Sequence, residues 1–140
     1  PKTKDDGMRG VASQPGYGFG LGNAEIQSAA TIAACTRALT GGKLLPTQTL
    51  RQAHLLRARA AAKLRINASA EALADLDEAE KAIAGQRGEP FFDRSMGASL
   101  DLLRALALVQ QGKAAEAVPL ADRAADRRPF AVQVQMAAAM

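Results

Sequence analysis

Residues 98–131 read ASLDLLRALALVQQGKAAEAVPLADRAADRRPFA, and this stretch decides the fold. Its first half carries Leu100, Leu102, Leu103, Leu106 and Val109 at helical spacing and stops at Gly112, a residue suited to ending a helix. The second half is a helix over about 114–127, stopped by Pro129. Ala117, Ala121 and Ala124 fall at i, i+4 and i+7, which lines three small side chains along one stripe. Small side chains let two helix backbones approach closely, as a tightly paired helical hairpin requires.

The same stripe occurs twice more upstream, as Thr31/Cys35/Ala38 and Ala72/Leu76/Ala79. Around these copies the start and stop signals predict further helices. Asn23 caps one running to about Thr40, where Gly41 and Gly42 end it. Thr49 and Gln52 match a capping box and open a helix to about Asn67. Ser69 caps a third helix, with Glu71 in its first turn, which runs to Ala84 ahead of Gly85 and Gly88. Asp93 or Ser95 begins the fourth, and 130–139 resembles the start of a sixth. Short connections make each helix antiparallel to the next. In the second helix Leu50, Ala53, Ala60 and Leu64 point one way and Leu55, Ala62 and Ile66 nearly the opposite way, so neighbours are expected on both sides. The third is apolar at Leu73, Leu76, Ala79 and Ile83 and acidic elsewhere, the pattern of a covering helix whose carboxylates are solvated.

Ala105, Leu108, Gly112, Ala117, Ala121, Ala124 and Pro129 stand at the small-residue, turn-glycine and terminal-proline positions of a tetratricopeptide repeat, which residues 98–131 resemble. Residues 53–86 resemble it too, through Ala60, Ala72, Leu76 and Ala79, with Asn67 in place of the turn glycine. The copies begin 41 and 45 residues apart, against about 34 in that family. Asp101 and Leu108 fill its aromatic positions, and Pro119 lies inside the fifth helix. The array is therefore degenerate, with a loop inserted over 86–94. Phe91 and Phe92 in that loop are either a plug over the hairpin junction or an exposed contact.

The resemblance implies an all-α fold of antiparallel helical hairpins stacked as a short α-solenoid over 24–140. It also implies a scaffold that binds a peptide or partner helix in a concave groove formed by the first helix of each hairpin. Carried onto this chain, the groove residues are His54, Arg57, Ala61, Leu64 and Arg65 in one unit and Ser99, Leu102, Leu106, Val109 and Gln110 in the other. Such a groove is basic at one end and apolar at the other, suited to a segment with acidic and aliphatic residues that Arg57 and Arg65 would pair with.

Composition narrows the chemistry. Of the 140 residues 32 are alanine, apolar residues make up 48% and aromatic ones 4%, so the core is aliphatic and strand formation is disfavoured. One Cys, one His and one Tyr cannot supply a zinc cluster, a disulfide framework or a His-rich catalytic centre. No catalysis, cofactor or metal is expected. His54 has no nucleophile or second His placed to work with it, and Cys35 on the small stripe is a core filler.

The net charge is +4, with 18 basic and 14 acidic residues. The charges are interleaved, which argues for solvated helix faces. A basic helical domain that binds nucleic acid or another polyanion is the alternative function. No uncharged apolar run approaches the ~20 residues of a bilayer span. Residues 1–23, with Gly7, Gly10, Gly16, Gly18, Gly20 and Gly22, are expected to form a flexible arm whose Tyr17 and Phe19 pack on the body. Val132, Val134, Met136 and Met140 have no evident covering helix, which predicts self-association, a partner there, or a chain cut from a longer protein. Localisation is left open, either cytoplasmic or exported with a signal removed.

Overall fold

The structure, a computed structural model, describes residues 24–129 and 132–139. The glycine-rich arm lies outside the described residues, as do Met140 and the side chain of Val132. Among the described residues every regular element is helical, as the alanine-rich composition dictates. The helices are α1 (Ala24–Thr40), α2 (Thr49–Arg65), α3 (Ser69–Ala82), α4 (Pro90–Phe92), α5 (Ala98–Gln110), α6 (Ala114–Arg127) and α7 (Val132–Ala138). Of the described residues, those from 24 to 85 belong to one compact unit and those from 86 onward to another.

In the first unit α2 packs against both α1 and α3; of the residues expected on its two faces Ala53, Ala60, Leu64 and Ala62 are buried, whereas Leu50 and Ile66 at its ends are exposed. The small-residue stripe of α3 is the interior seam, with Ala72, Leu76 and Ala79 fully buried against α2, whose Ala53 and Ala60 are equally buried. Cys35 is buried on α1. The capping boundaries differ from expectation by a residue. Gln48 rather than Thr49 precedes α2, Ala68 rather than Ser69 precedes α3, and neither side chain caps its helix.

The α2–α3 turn and the α5–α6 turn are built alike. Asn67 takes the left-handed conformation (φ 59°) and so does Gly112 (φ 76°). The N–H of Asn67 donates to Leu64 and that of Ala68 to Lys63; likewise Gly112 donates to Val109 and Lys113 to Leu108. Both are Schellman endings, in which the left-handed residue turns the chain so that its own N–H and the next one satisfy carbonyls of the finished helix. Asparagine tolerates that conformation better than other residues with a Cβ, which explains how Asn67 stands in for the glycine.

In the second unit α5 pairs with α6 along a seam that includes Ala105, Ala117 and Ala124, all buried. Helical structure begins at Pro90, not at Asp93 or Ser95, because a proline in the first turn has no N–H to leave unsatisfied. It continues through a π turn at Asp93–Gly97 into α5. There the Ala98 N–H reaches back five residues to the Asp93 carbonyl, while the Ser95 hydroxyl donates to the carbonyls of Phe91 and Phe92. The inserted segment is thus mostly helix. Phe92 packs inside and Phe91 is exposed.

The last helix covers part of this unit. Val134 is buried in a cluster with Ala98, Leu102 and Ala124, against which Leu106 and Ala138 also pack. Of the C-terminal apolar residues expected to lack cover, Val134 therefore has it, whereas Met136 is exposed.

Candidate functional site

Two buried carboxylates dominate the electrostatics, one in each unit. On α3 the Asp75 side chain, 6% exposed, receives Arg59 Nη2 at 2.7 Å and Nε at 2.9 Å, and Lys63 Nζ lies 2.8 Å away. Arg59 also donates to the Thr36 hydroxyl, so one guanidinium ties α2 to both of its neighbours. Bonding to Asp75 holds Arg59 above its ordinary pKa. On α5 the Asp101 side chain, 3% exposed, accepts Arg123 through two nitrogens at 2.8 Å, Arg127 at 3.2 Å and Arg87 at 3.3 Å. Asp93 in the π turn lies 3.7 Å from Arg127 and 3.9 Å from Arg87.

The interleaved charges pointed to solvated faces, and at Asp75 the structure corrects that reading. Asp75 adjoins the buried stripe of α3 and faces Arg59 and Lys63, one helical turn apart on α2. Asp101 faces Arg123 and Arg127, one turn apart on α6, in the same way. The readable signal was an aspartate beside an apolar stripe, paired with two bases at i and i+4 on the adjoining helix. In water such groups contribute little, but at this burial each pair needs its partner.

The first unit also holds a cleft of about 360 Å³ where α1 turns into α2. Leu39, Leu44, Leu45, Pro46 and Leu56 give it an aliphatic wall, and Thr40, Gln52, Arg59 and Glu78 supply its polar groups. Arg59 is engaged by Asp75, and Glu78 pairs on the surface with Lys81. Leu45 is 59% exposed at the opening. The cleft suits an aliphatic side chain with a hydrogen-bonding group beside it.

The groove residues inferred from the sequence share faces as helical geometry requires, but their exposure varies. His54, Arg57, Ala61, Leu64 and Arg65 occupy an arc of roughly 100° on α2 at 3.6 residues per turn. Arg57, Ala61 and Leu64 are buried, while His54 and Arg65 are partly exposed. Burial lowers the Arg57 pKa, and burial followed by the Arg57 charge lowers that of His54. On α5 Ser99 and Leu102 are buried, Leu106 is half-buried, and Val109 and Gln110 are exposed. Leu102 and Leu106 meet the α7 cluster, so that part of the inferred groove is filled by the chain itself.

Among the described residues no group of His, Cys, Asp and Glu is placed to hold a metal ion, and no helix is long and apolar enough to cross a membrane. Compared with protein-family models, with curated proteins and with solved structures, the chain matches none of them.

Proposed function

We propose that the chain is a non-catalytic protein-interaction module of degenerate tetratricopeptide type, which holds a peptide or partner helix of acidic and aliphatic character. The observation that carries this reading is the repetition of one turn. Asn67 and Gly112 stand 45 residues apart and close their hairpins with the same hydrogen bonds, and the buried alanines Ala72 and Ala79 correspond to Ala117 and Ala124 at that same spacing. A unit repeated in backbone as well as in sequence supports a stacked array, the architecture that presents helix faces to extended partners. The ion pairs do not repeat: Asp101 corresponds to Leu56 and Asp75 to Leu120, so each hairpin has its own tie.

Charge favours an acidic partner. Helix α2 contains Arg51, Arg57, Arg59, Lys63 and Arg65 and no acidic residue. Asp75 engages Arg59 and Lys63, while Arg51 is exposed and Arg65 partly so. A peptide array varied in acidic and aliphatic content, followed by calorimetry on the hits, tests the proposal. Micromolar binding that weakens with salt is expected, and Arg51→Glu with Arg65→Glu should lower affinity at least tenfold. If heparin binds with a steep salt dependence and no peptide does, the polyanion reading replaces this one.

A further inference from the structure

We infer that the cleft of the first unit is a binding site for a small aliphatic monocarboxylate. Arg59 and Gln52 hold the carboxylate, and the leucines around them hold the hydrocarbon. The site is independent of the peptide reading, since neither Arg51 nor Arg65 lines it.

Three observations carry it. The first is an unfinished set of donors. Arg59 lines the cleft, and a guanidinium has five N–H groups. Nε and one N–H of Nη2 donate to the two oxygens of Asp75, and one N–H of Nη1 donates to the Thr36 hydroxyl. One N–H on each terminal nitrogen therefore stays open among the described residues, on a group held in place by its other bonds and only 18% exposed. Neither Asp75 nor Thr36 lines the cleft. Gln52 does, and its half-buried carboxamide makes no hydrogen bond among the described residues. The second observation is charge. Asp75 is one carboxylate between two cations, Arg59 at 2.7 Å and Lys63 at 2.8 Å, so the cluster keeps one positive charge that is mostly out of water. Glu78, the acid on the cleft, is already paired with Lys81 at 3.0 Å, and both are exposed. The third is the wall. Leu39, Leu44, Leu45, Pro46 and Leu56 bound a volume of about 360 Å³, near the lower limit of ligand pockets, roughly 300–1,000 Å³.

Each feature sets part of the ligand. A carboxylate offers two charged oxygens in one plane, the acceptor that guanidinium N–H groups match best. Its aliphatic group takes the leucine wall and gains by leaving water. The volume limits that group to a short branched chain. A dianion such as phosphate brings one charge more than the cluster has to offer, and it has no apolar part for the wall.

The test titrates the isotope-labelled full chain with 4-methylpentanoate, with the uncharged 4-methylpentanamide and with acetate, following backbone and side-chain N–H signals by NMR. The acid should bind with a Kd of about 0.1–1 mM, as suits so few atoms, and shift the Gln52 carboxamide and Arg59 Nε–H signals. The amide should bind about fivefold more weakly and acetate about tenfold, because each lacks one half of the recognition. Leu45→Ser, at a position 59% exposed, should weaken the acid about fivefold, and Gln52→Ala about threefold. Glu78→Gln removes the like charge at the rim, so it should strengthen the acid about twofold and leave the amide unchanged. A gain of affinity cannot come from a damaged fold, which keeps the test decisive should either other variant unfold. Equal binding of acid and amide makes the cleft an apolar hollow without recognition and overturns the proposal. Equal binding of acid and acetate leaves only a charge effect and does the same. So do shifts that miss the residues lining the cleft, or no binding by any probe at about 10 mM.

Discussion

Replacing Asp75 by asparagine preserves the side chain's shape and removes its charge, which isolates the ion pair from packing. In the folded protein the carboxylate receives three contacts of 2.7–2.9 Å from Arg59 and Lys63, whose side chains are 18% and 13% exposed. Removing one partner of a buried pair costs about 3–5 kcal/mol, because the remaining charge stays desolvated and unpaired. Here both bases reach some water, so the lower end applies, about 3 kcal/mol. For a chain of this size that corresponds to a Tm lower by roughly 10 °C. Urea titration followed by circular dichroism measures the loss, and amide exchange should localise it to α2 and α3. Arg59→Ala should cost less, roughly 1–2 kcal/mol, since Lys63 continues to pair with Asp75. Replacing Asp75, Arg59 and Lys63 together by leucine or methionine should recover most of the stability, because a well-packed aliphatic group has no charge to desolvate. An Asp75→Asn loss below about 0.5 kcal/mol would refute the reasoning, as it would place Asp75 among ordinary surface charges.

The turns give a paired prediction: Gly112→Ala should destabilise by about 1 kcal/mol, whereas Asn67→Gly should be neutral or slightly stabilising, measured by the same titration. His54 titrates below its ordinary pKa when folded, so the unfolded chain binds more protons just below pH 6.5. Stability should therefore fall as pH drops from about 6.5 through the lower folded pKa, and His54→Gln should flatten that slope in thermal melts at stepped pH. Burial raises the Cys35 pKa; its reaction with a thiol reagent at pH 8 should be slow in the folded chain and at least a hundredfold faster in denaturant. A Cβ at Gly97 would meet Arg87 Nη1 at 2.8 Å, the movable end of a flexible side chain, and Asp101 keeps Arg123 and Arg127, so Gly97→Ala should change the stability of the second unit by less than about 1 kcal/mol in the same titration.

Local physics made much of the fold legible. Helix propensity, the period of 3.6 and the glycine, proline and asparagine stops predicted the helices to within a few residues, because those signals act between near neighbours in the chain. The alanine stripes at Ala72/Leu76/Ala79 and Ala117/Ala121/Ala124 marked the contact faces, since side-chain size alone decides how closely two helices pack. The start at Pro90 was missed because the π turn at Asp93–Gly97 shifts the register of the apolar pattern. The candidate surface was less legible. Arg57 and Leu102 occupy the expected arcs, but periodicity gives a residue's direction and not what lies opposite it.

The sequence by itself thus determined that this protein is helical, where its helices turn, and which faces are small enough to pair. Only the tertiary structure decided that Asp75 and Asp101 are buried and that α7 covers Leu102. A carboxylate's solvation depends on partners 12 to 26 residues away in the chain, and a groove stays open or closes according to which distant segment folds across it.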